Sequence, residues 1–150
     1  MIEYREMSSN DAIILQSMMM TEEPTYLTYF TAFSAHDALL SQCVNAIKDG
    51  FFVLTIDNNI AGFFCLRGLD SGYVKPSFGV YISSEHQGKG LARSALKEAA
   101  AWCKRYSLPA IILKVAKCNE RAYQLYAQDG FLPVEQFAKR KDILMEKRIL

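Results

Sequence analysis

The sequence predicts a single α/β (α+β) domain in which strands and helices share one core. Three observations carry that expectation. The chain has 150 residues, 51% of them hydrophobic, enough to close one core. Phe51 to Ile56 and Ile60 to Leu66 are β-rich runs separated by Asp57-Asn58-Asn59, residues that tolerate the left-handed conformations of a tight hairpin. A strand, a glycine loop and a long amphipathic helix then follow one another between Ser77 and Tyr106.

Taken in order, Ile2 to Met7 alternates apolar and polar residues, as a half-buried strand does. Ser8, Ser9 and Asn10 offer N-cap oxygens to a helix running through Ile14 to Met20. Thr21 to Glu23 breaks it. Pro24 suits the first turn of a second helix, where Tyr26, Tyr29, Phe30 and Phe33 recur at helical spacing. A third helix is expected from about Ala35 to Lys48, ended by Gly50. After the hairpin, Asp70-Ser71-Gly72 is a further break. Pro76, which cannot donate to a ladder, confines the next strand to Ser77 through Ile82, and Gly79 hints at a bulge in it.

From Gly88 to Tyr106, residues Leu91, Ala95, Ala99, Trp102, Cys103 and Tyr106 share a helix face that Lys89, Arg93, Lys97 and Arg105 largely avoid. Pro109 ends that helix. Ile111 to Val115 reads as a buried strand, Asn119 to Gln128 as a helix stopped by Gly130, and Phe131 to Phe137 and Ile143 to Ile149 as closing strands. With no repeat, linker or low-complexity stretch, residues 1–150 are expected to be one domain.

Composition narrows the function. The formal net charge is +1 with acids and bases interleaved, which lacks the basic footprint of a nucleic-acid binder and favours a small-molecule partner. The four cysteines, Cys43, Cys65, Cys103 and Cys118, form no CxxC pair, so neither a disulfide framework nor a metal site is expected. The first residues lack the plan of a signal peptide and the apolar runs are too short for a bilayer, so no membrane partner and a cytoplasmic location are expected.

The loop after Val80-Tyr81-Ile82 carries the chemistry. Two glycines, Gly88 and Gly90, let successive N–H groups face one point at the start of a helix, which suits a phosphate or pyrophosphate, and Lys89 and Arg93 add charge. A glycine pair also serves any tight turn. The Gly-Lys-Ser/Thr wording of a P-loop and the third glycine of a dinucleotide fingerprint are both absent. Gln87, Gly90 and Ala92 match the Gln/Arg-X-X-Gly-X-Gly/Ala signature of the GNAT superfamily of acyl-CoA transferases, which this segment therefore resembles. Ser84 stands where that family often has proline.

Asn119-Glu120-Arg121-Ala122 followed by Leu125-Tyr126 and Gly130-Phe131 is similar to the second signature of that family. Taken singly, Asn119 reads as an N-cap, Tyr126 as a core aromatic and Gly130 as a C-cap. Together the two patterns stand in family order, one helix and one strand apart.

The resemblance implies a mixed, mostly antiparallel sheet of six to seven strands, flanked by helices and splayed at the cofactor site, with acetyl-CoA (coenzyme A) as cofactor. It implies that backbone amides of Gln87, Gly88, Lys89, Gly90, Leu91 and Ala92 hold the pyrophosphate. Main-chain groups of Val80 and Ile82 would pair with the pantetheine arm as a strand does, Asn119 would hydrogen-bond that arm, and Tyr81, Ala122 and Tyr123 would also contact the cofactor. It also implies acetyl transfer to the amine of a small molecule such as an amino sugar, polyamine or amino acid, with Tyr126 as general acid. The N–H of Ile82 would stabilise the developing oxyanion.

Glu22, Glu23, Tyr26 and Tyr29 are the candidate acceptor residues, although an aromatic stripe at this spacing also describes a core helix. The resemblance implies that the acceptor pocket is built from about residues 21–33, which hold these four, and residues 137–141. Glu22, Glu23, His36, Glu85 and His86 are candidates for a base, none of them preferred. Cys118 reads as a small buried thiol rather than a covalent acetyl carrier. Phe78, Tyr81 and Tyr123 are expected to leave little room for longer acyl groups. A silent acyl-CoA-binding module and a peptide N-acetyltransferase remain open, as does a homodimer using the strand-rich tail that ends at Leu150.

Overall fold

The computed structural model describes residues 1–27, 38–135 and 142–150. Seven strands form one sheet in the order β1-β2-β3-β4-β5-β7-β6: β1 Ile2–Glu6, β2 Gly50–Ile56, β3 Asn59–Arg67, β4 Ser77–Ile82, β5 Ala110–Ala116, β6 Leu132–Glu135 and β7 Asp142–Arg148. Every neighbouring pair is antiparallel except β4 and β5. The helices are α1 Ser9–Thr21, α2 Pro24–Leu27, α3 Leu39–Asn45, α4 Leu91–Arg105 and α5 Glu120–Gln128. None of the described helices is long and apolar enough to cross a membrane.

The sheet is buried on both faces, which is why β2 and β3 read as continuous apolar runs. Alternate residues go to opposite layers. Phe51, Val53, Phe63, Cys65 and Tyr81 pack with Ala12, Leu15, Met19 and Leu39 of α1 and α3. Leu54, Phe64, Leu66, Phe78 and Ile82 pack with Leu91, Ala95, Leu96, Ala99 and Cys103 of α4, and α5 adds Ala122, Tyr123 and Tyr126 at the margin.

The expected elements recur with local differences. The hairpin turn uses Asp57 at φ 49° and Asn58 at φ 70°, the left-handed pair its sequence suggests. α1 begins in a capping box: Ser8 accepts from the Asp11 N–H, and the Asp11 carboxylate accepts from the Ser8 N–H and pairs with Arg5. The third helix ends at Asn45, well before Gly50, which instead opens β2. Its cause lies in a distant residue, because the Asp70 carboxylate accepts from the N–H groups of Ile47, Lys48 and Asp49 and holds them in a turn. The bulge hinted at Gly79 is absent, since β3 and β4 pair in unbroken register. The irregularity lies at Leu54/Thr55 on β2.

Gly62 marks a close approach in the sheet. A Cβ there would lie 2.1 Å from the Tyr81 carbonyl oxygen, so only glycine lets β3 meet β4 at this point.

Candidate active site

The two edges of β4 differ. Along β3 it is paired from Ser77 to Ile82. Along β5 it makes one register pair, Ser77 with Ile112, backed by a bond from the Ile112 N–H to the Pro76 carbonyl. Beyond that point the strands diverge, because β5 follows β7 over the whole of Ala110 to Ala116 while β4 follows β3.

Parity then decides which groups face the gap. The Ser83 N–H bonds the Ala61 carbonyl, so in the antiparallel alternation Tyr81 and Gly79 exchange bonds with β3, while Phe78, Val80 and Ile82 turn their peptide groups away from it. The Ile82 carbonyl accepts from Tyr26 and the Ser77–Ile112 pair engages the Phe78 N–H, so it is the Val80 peptide groups and the Ile82 N–H that lack a strand partner, and such groups stay so only where water or a ligand can meet them.

A cleft of about 650 Å³ fills the gap. Its walls are Phe78 to Val80 and Ile82 of β4, Lys114 and Val115 of β5, the loop and the start of α4, and one face of α5. In the loop Gly88 and Gly90 adopt φ 82° and 74°, the left-handed conformations that favour glycine. Gly90 caps α4 with no side-chain bond, and the first intrahelical bond runs from the Ser94 N–H to the Gly90 carbonyl. The N–H groups of Leu91, Ala92 and Arg93 are therefore left over by the helix at the cleft wall. Such a helix start is an anion site by geometry and dipole.

On the opposite wall, Asn119, Ala122 and Tyr126 line the cleft at i, i+3 and i+7 of one helical face. Asn119 caps α5 by accepting from the Ala122 N–H at 3.2 Å, which leaves its amide donors without a protein partner among the described residues. Tyr126 stacks obliquely on Phe131, ring centres 5.9 Å apart. Burial pushes its hydroxyl up to about 12, so it holds its proton at neutral pH.

Most of the expected cofactor residues meet here: Val80, Ile82, Gln87, Gly88, Gly90, Leu91, Ala92, Asn119, Ala122 and Tyr126 all line the cleft. Three do not. Tyr81 has the wrong parity: its ring goes to the α1 layer, beside Phe63, and its hydroxyl donates to Glu22 at 2.7 Å. Tyr123 packs against the α4 layer, and the Lys89 ammonium turns to His86 at 3.0 Å. The expected crowding by Tyr81 and Tyr123 against longer acyl groups therefore falls away, and only Phe78 of that trio lines the cleft. Cys118, expected to be buried, is exposed at the cleft.

Of the acceptor candidates, Tyr26 lines the cleft and donates to the Ile82 carbonyl at 2.6 Å. Burial first, and then the nearby Glu22, push its hydroxyl up to about 12. Glu22 directs both oxygens at Tyr81 and Ser84, and Glu23 is exposed, its carbonyl accepting from Tyr26 at the start of α2. Tyr29, His36 and residues 137–141 lie outside the described residues. His86 lines the cleft, whereas Glu85 is exposed. The sequence reading missed Lys114, Val115, Glu120, Arg121 and Leu125. Strand and helix parity around the motif residues is the signal that finds several of them.

A model of the Acetyltransferase (GNAT) family matches residues 15–131. The chain belongs to that family. The spermidine N(1)-acetyltransferase of Escherichia coli K12 is 29% identical to this GNAT chain over 131 residues, covering 87% of it and 67% of the relative. A solved spermidine N-acetyltransferase from Vibrio cholerae, in complex with CoA and spermine, superposes with TM-score 0.81 at 20% identity, over 98% of this chain and 95% of that one. The PaiA N-acetyltransferase of Thermoplasma acidophilum, solved with coenzyme A, gives 0.78 at 20% identity over 99% of each. These likenesses agree with the seven-stranded mixed sheet and with the acetyltransferase class expected from the two motifs.

Proposed function

We propose that this chain moves an acetyl group from acetyl-CoA directly to the primary amine of a small molecule, with Tyr126 as general acid. The observation that carries the reading is the unpaired edge of β4, which runs straight into the glycine loop and faces Tyr126 across one cleft. The residues fit the cofactor. A pantetheine arm offers amide groups that Val80 and the Asn119 side chain can meet as a strand would, and the N–H groups from Gly88 to Ala92 suit the pyrophosphate, the Gln87 N–H being held by the Ser84 carbonyl. Acetyl-CoA supplies an activated acyl carbon on a thiol leaving group.

The chain's own residues do the rest. The Ile82 N–H faces the gap and stabilises charge that develops on the acetyl oxygen, an effect on the order of 3 kcal/mol for one preorganised donor. The amine nitrogen bonds the acyl carbon as the carbon–sulfur bond breaks. Tyr126 gives its proton to the departing sulfur, and the amine releases one to solvent, which returns the tyrosine to its starting state. Burial keeps its hydroxyl protonated at neutral pH, the state a proton donor must be in.

Tyr26 at the cleft wall supports entry of the acceptor from the α2 side. The spermidine acetyltransferases among the relatives make polyamines the first amines to try.

The test is thiol release from acetyl-CoA, read with a free-thiol reagent across polyamines, amino sugars, amino acids and short peptides. Release that depends on a small amine is expected. Release with peptides alone would move the acceptor class, and a thermal shift with acetyl-CoA but no release would favour a silent binding module. Neither shift nor release would overturn the cofactor assignment.

A further inference from the structure

Glu22 follows α1 directly and sits far in sequence from the loop it touches. One carboxylate oxygen accepts from the Tyr81 hydroxyl at 2.7 Å and the Ser84 N–H at 2.9 Å, and the other accepts from the Ser84 hydroxyl at 2.6 Å. Four residues on, the Tyr26 hydroxyl donates to the Ile82 carbonyl at 2.6 Å. These four bonds join residues 22–26 to residues 81–84, the short stretch in which the open edge of β4 becomes the phosphate loop. We propose that Glu22 is a positioning residue for the transfer: it holds Ser84 and Tyr81 on either side of the Ile82 peptide groups, so that oxyanion donor and pyrophosphate loop stay in one alignment.

Three features support this role over direct contact with an amine. Both oxygens are engaged within the protein, and three donors on one carboxylate hold it in a single orientation. Burial alone would raise this carboxyl. The bonds from the Ser84 hydroxyl, the Tyr81 hydroxyl and the Ser84 N–H outweigh it and hold the group below its ordinary value, so the clasp is charged at neutral pH. Finally, Glu22 is not among the cleft-lining residues whereas Tyr26 is, so the segment touches the cleft with one residue and ties down its rim with the other.

The inference rests on the acetyl-CoA reading, and its test separates the two. Amide hydrogen exchange on the free protein should show the Ser84 N–H exchanging at least about tenfold faster in Glu22→Ala, with the β2–β3 ladder unchanged. Calorimetry should show acetyl-CoA binding weakened about tenfold in Glu22→Ala and restored to within about threefold by Glu22→Gln, whose carbonyl still accepts from Ser84 and Tyr81. With spermidine as acceptor, kcat should fall in Glu22→Ala while the acceptor KM holds.

A folded Glu22→Ala protein that binds acetyl-CoA as tightly as wild type, with unchanged Ser84 exchange, would overturn the inference alone. So would a change confined to the acceptor KM, since that marks an amine ligand. Wild-type protein that binds no acetyl-CoA would overturn the functional reading and this inference together.

Discussion

Strand β4 has two edges made from the same six residues, and they do opposite work. On the β3 side each residue is paired in register and the two strands approach so closely that Gly62 has no room for a side chain. On the β5 side only its first residue is in register, and Phe78 to Val80 and Ile82 line a cleft. An unpaired peptide group deprived of water costs on the order of 1–3 kcal/mol, so the open edge persists only because solvent or cofactor can reach it. In the proposed mechanism the closed edge would provide the rigidity that the Ile82 donor needs, since a donor aimed at a developing charge is useful only if it does not move during reaction.

That contrast can be broken from either side. The largest effect is expected at the closed edge, where Gly62→Ala drives a methyl into the Tyr81 carbonyl; denaturant unfolding should show a loss of about 3 kcal/mol. An unchanged midpoint would mean the two strands are free to part. At the open edge Gly90→Glu combines a strained left-handed residue with a negative charge at the phosphate position, and calorimetry should detect no acetyl-CoA binding in a folded protein. Tyr126→Phe separates chemistry from binding: kcat should drop about a hundredfold with acetyl-CoA affinity retained. Full activity in that variant would remove Tyr126 as the proton donor.

The smallest effect lies away from β4. Asp11 is held at about 2, chiefly by Arg5, against burial and with help from Ser8. Its folded value is depressed, so its contribution is present above the ordinary carboxylate range and is lost as pH falls through that range toward about 2. Asp11→Asn should cost about 1 kcal/mol at neutral pH and flatten that acid limb in melting experiments.

Local chemistry made much of this legible. Asp57-Asn58 specify the hairpin, Pro76 the start of β4, and residues of the two motifs line both walls of the cleft. What escaped the sequence was set by partners remote along the chain. Asp70 shortens α3 from more than twenty residues away, and nothing near Ala46 signals it. Tyr81 does not join Val80 and Ile82 at the cleft because a strand sends neighbours to opposite sides, and the Ser83–Ala61 bond shows that Tyr81 turns its peptide groups to β3. Glu22 was expected to meet an amine and instead meets Ser84, a pairing visible only once α1 packs beside the end of β4.

The most direct test of the open edge is residue-resolved amide exchange across β4 with and without acetyl-CoA. Protection of Val80 and Ile82 on adding acetyl-CoA, with Tyr81 unchanged because β3 already holds it, is the predicted result. Protection spread evenly along β4, or absent from it while acetyl-CoA binds, would contradict the assignment of that edge to the cofactor.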